Sequence, residues 1–71
     1  MTKHELVEAM TSQQGGYFIT KTELAKFIGA KRSETVGRYV EGLAVLNKRY
    51  YFIPEVAERM IADTKKAAVN R

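Results

Sequence analysis

The sequence contains few of the residue types that carry out catalysis. It contains one histidine (His4), one aspartate and no cysteine, so nucleophilic and metal-binding side chains are scarce. His4 lies beside Glu5 near the start of the chain and has no partner at triad or metal-ligand spacing. The glutamates at positions 5 and 8 and at positions 55 and 58 have the spacing of an acid–base pair. Both pairs also lie near predicted helix starts, where carboxylates stabilise the helix dipole. We therefore expect no enzymatic activity and no cofactor or metal.

The basic residues are the more informative group. The chain has 12 Lys and Arg against 8 Asp and Glu, which gives a net charge of +4 and a pI near 9.6. Such an excess favours a polyanion, with nucleic acid ahead of an anionic membrane. Seven basic and three acidic side chains lie between Lys21 and Arg49, which accounts for the whole net charge. We therefore expect the anion-binding surface in the middle of the chain and no membrane-binding helix at either end.

Size and composition predict one small globular domain over residues 1–71. Hydrophobic residues make up 45% of the 71 residues and charged residues 28%, which is the balance of a folded domain and not of a disordered chain. The longest apolar runs are four residues, at 43–46 and 50–53, too short for a membrane span. The first ten residues lack the apolar region of a signal peptide. A cytoplasmic protein is expected.

Two short helices are predicted between residues 20 and 42. Thr20 and Glu23 have the spacing of a capping box that opens the first helix, and Gly29 ends it. Ser33 is the predicted N-cap of the second helix. The apolar residues of that helix recur at helical spacing, at Val36, Tyr39, Val40 and Leu43. Two short helices joined by residues 29–32 predict a helix-turn-helix.

A β-hairpin and a last helix are predicted to follow. The β-rich runs 43–46 and 49–53 are separated by Asn47 and Lys48, which predicts a two-residue loop because Asn tolerates a left-handed backbone. Pro54 closes the second strand and suits the first turn of a helix over about 54–66. Residues 50–53 are apolar on both faces, whereas a two-stranded hairpin buries only one. Either the N-terminal helix or a partner must cover the other face.

The N-terminal segment is predicted to add a helix over about residues 2–14. Thr2 and Glu5 have capping-box spacing, and Gly15 and Gly16 end the helix. The apolar run 17–19 is expected to be an extended segment or a loop that fills the core.

The exposed face of the second helix carries the predicted DNA contacts. A helix in the major groove reads base edges with its N-terminal residues, and an arginine such as Arg38 can pair with O6 and N7 of guanine. Ser33, Thr35 and the helix N-terminal amides are expected to hold a phosphate, and Glu34 can accept from a cytosine amino group. The alternative is a solvated face that only confers solubility. Gly37 lowers helix stability. Either DNA or the hairpin approaches the backbone closely at this glycine, or the fold merely tolerates the loss of stability.

The hairpin tip and the start of the first helix are predicted to contact the DNA backbone. Two cations on a turn suit a neighbouring phosphate or a minor groove, although a solvated turn is the alternative. The complete predicted set is Lys31, Arg32, Ser33, Glu34, Thr35 and Arg38 in the second helix and its entrance, Asn47, Lys48 and Arg49 in the hairpin, and Thr20 and Lys21 in the first helix.

The order of these motifs resembles the winged helix-turn-helix domains of phage and mobile-element excisionases, which are related to the DNA-binding heads of MerR-like regulators. The similarity covers about Ile19 to Ile61. It includes Leu24-Ala25 before Gly29, the hydrophobic–Arg38–aromatic run, and a hairpin that ends in the sequence RYYFIP and leads into a helix. Relative to the family pattern, the turn after Gly29 is one residue longer and the N-terminal helix is an addition.

The resemblance implies an α+β fold, mostly α: a small winged helix-turn-helix (about 20–42) with a two-stranded hairpin wing (about 43–53) and an extra N-terminal helix. It implies that the second helix enters the major groove of double-stranded DNA and that the wing lies on the adjacent backbone or minor groove. Excisionases bind repeated sites, bend DNA and bias a tyrosine recombinase (integrase) toward excision, so the implied partners are DNA, that integrase and neighbouring copies. A small phage or plasmid transcriptional regulator is the alternative, and a protein-interaction module that uses the aromatic strand is the third hypothesis.

Overall fold

The computed structural model describes the backbone of residues 2–69 and the side chains of residues 2–64. In this part of the chain four α-helices and one three-stranded antiparallel sheet form a mostly helical α+β fold. The fold class and the four helices agree with the prediction from the sequence, which however gives a hairpin of only two strands. The elements are α1 (Lys3–Gln14), β1 (Phe18–Ile19), α2 (Lys21–Ile28), a 3₁₀ turn (Ser33–Val36), α3 (Gly37–Val40), β2 (Val45–Leu46), β3 (Tyr50–Phe52) and α4 (Ile53–Val69).

The first two helices begin and end where the sequence predicts. The hydroxyl oxygen of Thr2 accepts from the Glu5 N–H, and the Glu5 carboxylate accepts from the Thr2 N–H. Thr20 and Glu23 repeat this capping box at α2. Each helix ends at a left-handed glycine, the first at residue 15 and the second at Gly29 with φ 80°.

The second predicted helix differs from the expectation. Residues 33–36 form a 3₁₀ turn, and α3 then continues for a single α-helical turn, ending at Val40 rather than near residue 42. The prediction that Ser33 caps this helix is wrong, because Arg32 is at the N-cap position and makes no side-chain capping bond. Ser33 is instead the first residue of the 3₁₀ turn, one position too late to cap it.

The hairpin belongs to a larger sheet than the sequence predicts. The strand order is β1-β3-β2, with Ile19 opposite Tyr51 and Phe18 opposite Phe52. Strands β2 and β3 are shorter than predicted, and the loop has three residues instead of two, because Leu46 pairs with Tyr50. The predicted loop residues 47 and 48 both have positive φ, so the turn itself lies where expected.

The core is formed where α1, β1, α2, the 3₁₀ turn, α3 and α4 meet. Helix α1 packs mainly on α4, which begins one residue before Pro54 and extends past the predicted end near 66. The buried core residues are Leu6, Met10, Ile19, Leu24, Ala25, Val36, Val40, Ile53, Val56 and Ala57. This core holds the 33–40 segment against α4 and the start of α2 near the hairpin.

Candidate nucleic-acid interface

A cleft of about 240 Å³ lies between the start of α2 and the tip of the β2–β3 hairpin. Its lining consists of Thr20, Lys21, Thr22, Lys48, Arg49 and Tyr51. The structure thus brings together the predicted first-helix contacts and two of the three predicted hairpin contacts, from segments that are more than 25 residues apart in the sequence. We call this site the basic cleft.

The local backbone explains the position of each cation in the basic cleft. Thr20, the N-cap of the capping box, has extended backbone just ahead of the first helical turn. Lys21 is therefore the first residue of α2, at the positive end of the helix dipole. The left-handed residues Asn47 and Lys48 turn the chain at the hairpin tip. Asn47 is exposed but does not line the cleft.

The basic cleft is electropositive. Lys21, Lys48 and Arg49 are all exposed, and within residues 2–64 none of them forms an ion pair with a carboxylate. The lining contains no acidic side chain. The Arg49 guanidinium lies 5.6 Å from the centre of the Tyr50 ring, which holds this side chain beside the sheet by a cation–π contact. Three cations and two threonines at one cleft are suited to a phosphate group.

The exposed face of the 33–40 segment is arranged as predicted. Val36 and Val40 are buried, and Tyr39 and Leu43 pack against the core. Glu34, Thr35, Arg38 and Glu41 are exposed on the other side, as are Lys31 and Arg32 at the entrance, whereas Ser33 is half-buried.

The start of this segment offers fewer free amides than the sequence predicts, and the phosphate site expected there stays a prediction. The Thr35 N–H is already bonded to the Arg32 carbonyl over 3.3 Å, and the first turn is a 3₁₀ turn of four residues. Because the bonds of a 3₁₀ turn join residues three apart, its start leaves one N–H fewer free than the start of an α-helix.

Arg38 is exposed but has partners that the sequence analysis missed. Its Nη2 lies 3.2 Å from Oδ1 of Asp63 on α4, and its guanidinium lies 5.8 Å from the centre of the Tyr39 ring. The Tyr39 hydroxyl donates to Oδ2 of the same aspartate over 3.0 Å. Burial and the neighbouring Asp63 carboxylate raise the pKa of Tyr39 above its ordinary value. No local sequence signal links Asp63 to this helix, because only the packing of α3 on α4 brings them together.

A groove of about 300 Å³ lies between α3 and α4 beside this ion pair. Arg38, Tyr39 and Asp63 line it together with Arg59 and Ala62. Arg59 was not predicted as a site residue. Its guanidinium donates to the main-chain carbonyl of Glu41 at the end of α3, so its role is to hold the 33–40 segment in place.

Gly37 meets neither the hairpin nor any other element. A Cβ added at this position has no heavy atom within 4 Å, apart from its own neighbours. The hypothesis that the hairpin approaches this glycine is therefore wrong, which leaves approach by DNA or simple tolerance.

One face of the sheet stays uncovered in the described chain. Tyr51 and Ile19 face the core. Phe18 and Phe52 lie side by side on the opposite face with ring centres 5.5 Å apart, and they are 41% and 40% exposed. Leu46 on the same face is 54% exposed. The hypothesis that the N-terminal helix covers this face is wrong, because α1 packs on α4 and on the core side.

Comparisons with protein-family models, with curated proteins and with solved structures found no match to this chain. Among the described residues, no cluster of three or more His, Asp or Glu side chains has the arrangement needed to hold a metal ion. Within those same residues, no helix combines the length and apolar character required to cross a membrane. The function must therefore be inferred from the chemistry of the surfaces described above.

Proposed function

We propose that this protein binds double-stranded DNA sequence-specifically through a winged helix-turn-helix, as an excisionase-like architectural factor. In this proposal α2 and the 33–40 segment are the two helices of the motif, and the β2–β3 hairpin is the wing. The basic cleft is the observation that carries the proposal. Its cations come from the first helix of the motif and from the wing tip, so one DNA backbone can contact both.

The exposed face of the 33–40 segment is proposed to enter the major groove. Arg38 is 66% exposed and has the planar donor pattern that pairs with O6 and N7 of guanine. Lys31 and Arg32, exposed at the entrance of the segment, approach the flanking phosphates. Glu34 lies on the same face. It repels phosphate whatever the base sequence, and it favours cytosine where it can accept from the amino group of that base.

A salt titration of binding to a duplex tests the proposal. Affinity for any duplex should fall steeply between about 50 and 200 mM salt, with a slope that reflects the number of phosphates neutralised. Binding to a randomised duplex pool should then enrich a preferred site. Failure to bind any duplex at low salt refutes DNA binding.

The excisionase-like role is supported by the resemblance in the order of motifs between Ile19 and Ile61, and by a helix, a short helical segment and a hairpin that follow one another in that order. A small phage or plasmid regulator would use the same surfaces. A tyrosine-recombinase gene beside this one, together with bending of the selected site, favours the excisionase role. An isolated gene and an unbent operator favour the regulator.

A protein-interaction module is the second candidate function, and the uncovered face around Phe18 and Phe52 is the observation that favours it. An apolar surface of this kind, next to polar surroundings, is typical of contact sites. Under this alternative, salt would barely affect binding to the partner, and duplex DNA would not bind.

A further inference from the structure

One carboxylate on α4 contacts two consecutive residues of α3, as an ion-pair partner of Arg38 and as a hydrogen-bond acceptor from Tyr39. Oδ1 of Asp63 lies 3.2 Å from Nη2 of Arg38, and Oδ2 accepts from the Tyr39 hydroxyl over 3.0 Å. The Asp63 side chain is 33% exposed and that of Arg38 is 66% exposed. The guanidinium is therefore reachable from solvent while the carboxylate that holds it is partly enclosed.

The aspartate is itself held firmly. It lies within α4, which packs against α3. Arg59, one turn earlier on the same helix, bonds the carbonyl of Glu41 at the end of α3 over 2.8 Å. The Tyr39 hydroxyl stays protonated beyond its ordinary range, because burial and Asp63 raise its pKa, so it remains a donor to Oδ2. These contacts restrain the carboxylate relative to α3.

The contact with Asp63 leaves most of the Arg38 donors free. A guanidinium carries five N–H donors in one plane, and Arg38 approaches the Asp63 carboxylate through Nη2. The Tyr39 ring restrains the guanidinium from another side, 5.8 Å from its centre. An arginine restrained in this way can still present two parallel donors to a base edge.

We propose that Asp63 is a positioning residue that sets base specificity by holding Arg38 for bidentate pairing with guanine. This inference rests on the DNA binding proposed above. The carboxylate also repels phosphate, so it lowers affinity for all DNA while it raises the preference for one base. It therefore affects specificity and general affinity in opposite directions, which a purely structural residue does not.

The test compares Asp63→Asn with Glu58→Gln. Both changes remove one carboxylate from α4, but Glu58 is exposed and pairs only with Lys3 among the described residues. The probes are the duplex that wild type selects from a random pool and the same duplex with the Arg38-dependent guanine replaced. The guanine in question is found by measuring Arg38→Ala, as the base position at which this variant no longer prefers guanine.

We expect Asp63→Asn to lose most of the guanine preference, which for a bidentate pair is roughly 5- to 150-fold. Its binding to the replaced duplex should be tighter, because a carboxylate that repels phosphate has been removed. Glu58→Gln should keep the full preference. If Asp63→Asn retains the preference, or binds the guanine site more tightly than wild type does, the inference is overturned while DNA binding stands. If wild type binds no duplex, both proposals are overturned.

A second measurement needs no variant and no DNA. In the free wild type, ¹⁵N relaxation at Nε should show Arg38 to be more ordered than Arg32, whose exposed side chain has no ion-pair partner among the described residues. Equal mobility of the two arginines would overturn the positioning role even if Asp63→Asn failed to fold.

Discussion

Nη1 of Arg59 donates a 2.8 Å hydrogen bond to the main-chain carbonyl of Glu41, the residue at which α3 ends. Carbonyl groups at the end of a helix have no partner inside it, and a cation there also complements the helix dipole. Helix α3 has only one turn and therefore few hydrogen bonds of its own. The hydrogen bond from Arg59 on α4 stabilises the end of this short helix.

Loss of this contact should lower stability. We expect Arg59→Met, which keeps most of the aliphatic stem, to reduce the free energy of unfolding by about 1 kcal/mol, measured by urea denaturation. Arg32→Met is the matched control, because that exposed side chain makes no hydrogen bond within residues 2–64. Equal effects of the two changes would contradict an anchoring role for Arg59.

Replacement of Arg38 by lysine should separate charge from geometry. Lysine keeps the positive charge but lacks the planar fork of donors. We expect Arg38→Lys to weaken the free energy of binding to the preferred site by about 1–3 kcal/mol, because specificity at one base pair is relaxed. The salt dependence of binding should stay close to that of wild type. Competition binding with single-base variants of the site measures both. Unchanged specificity would show that Arg38 does not read a base.

The basic cleft should act on all sequences alike. We expect Lys48→Gln with Arg49→Gln to weaken binding to every duplex and to reduce the salt slope by about 1.8, or about 0.9 for each phosphate contact. The double change Lys3→Gln and Lys26→Gln alters the net charge equally at residues outside the cleft lining. Fluorescence anisotropy at several salt concentrations compares them, and equal slopes for the two double variants would contradict a specific role for the cleft.

Replacing Gly37 or Gly29 by alanine should change the stability of the protein in opposite directions. Gly37 has φ −54° and ψ −34°, and an added Cβ meets nothing within 4 Å. Gly37→Ala should therefore stabilise the protein by about 0.4–1 kcal/mol. Gly29 has φ 80° at the end of α2, so Gly29→Ala should destabilise it by about 1–2 kcal/mol. Thermal melts of both variants check the signs.

The DNA affinity of Gly37→Ala then distinguishes the two remaining explanations of this glycine. Weaker binding by a more stable protein indicates that DNA approaches the backbone at residue 37. Unchanged binding indicates that the glycine is merely tolerated.

The first capping box should make stability depend on acid pH. The Thr2 N–H donates to the Glu5 carboxylate, which lowers the pKa of Glu5 below its model-compound value of 4.5. Since the folded-state pKa is the lower one, this contribution is complete above 4.5 and is lost as the pH falls through the folded value. Denaturation of wild type and Glu5→Gln from pH 6 to pH 2 measures it. The variant should lose less stability over that range, and parallel curves would contradict the assignment.

Local chemistry made the starts of α1 and α2 readable from the sequence. The side chains of Thr20 and Glu23, three residues apart, each accept a hydrogen bond from the backbone N–H of the other residue. Glycine at position 29 adopts the left-handed backbone that ends α2 without the steric cost that other residues have. Such signals involve near neighbours, so they survive without knowledge of the rest of the fold. The 33–40 segment was harder to predict, because Arg32 is at its N-cap position and makes no side-chain capping bond, so no local signal marks its start.

Residue types and spacing alone therefore determined the order of the helices, the hairpin turn at Asn47 and Lys48, and the concentration of positive charge between Lys21 and Arg49. Only the tertiary structure decided that β1 joins the hairpin to leave Phe18 and Phe52 on an open face, and that Asp63 holds Arg38. The reason is physical: caps and turns depend on contacts within a few residues, whereas sheet pairing and ion pairs between helices depend on how distant segments pack around a shared core.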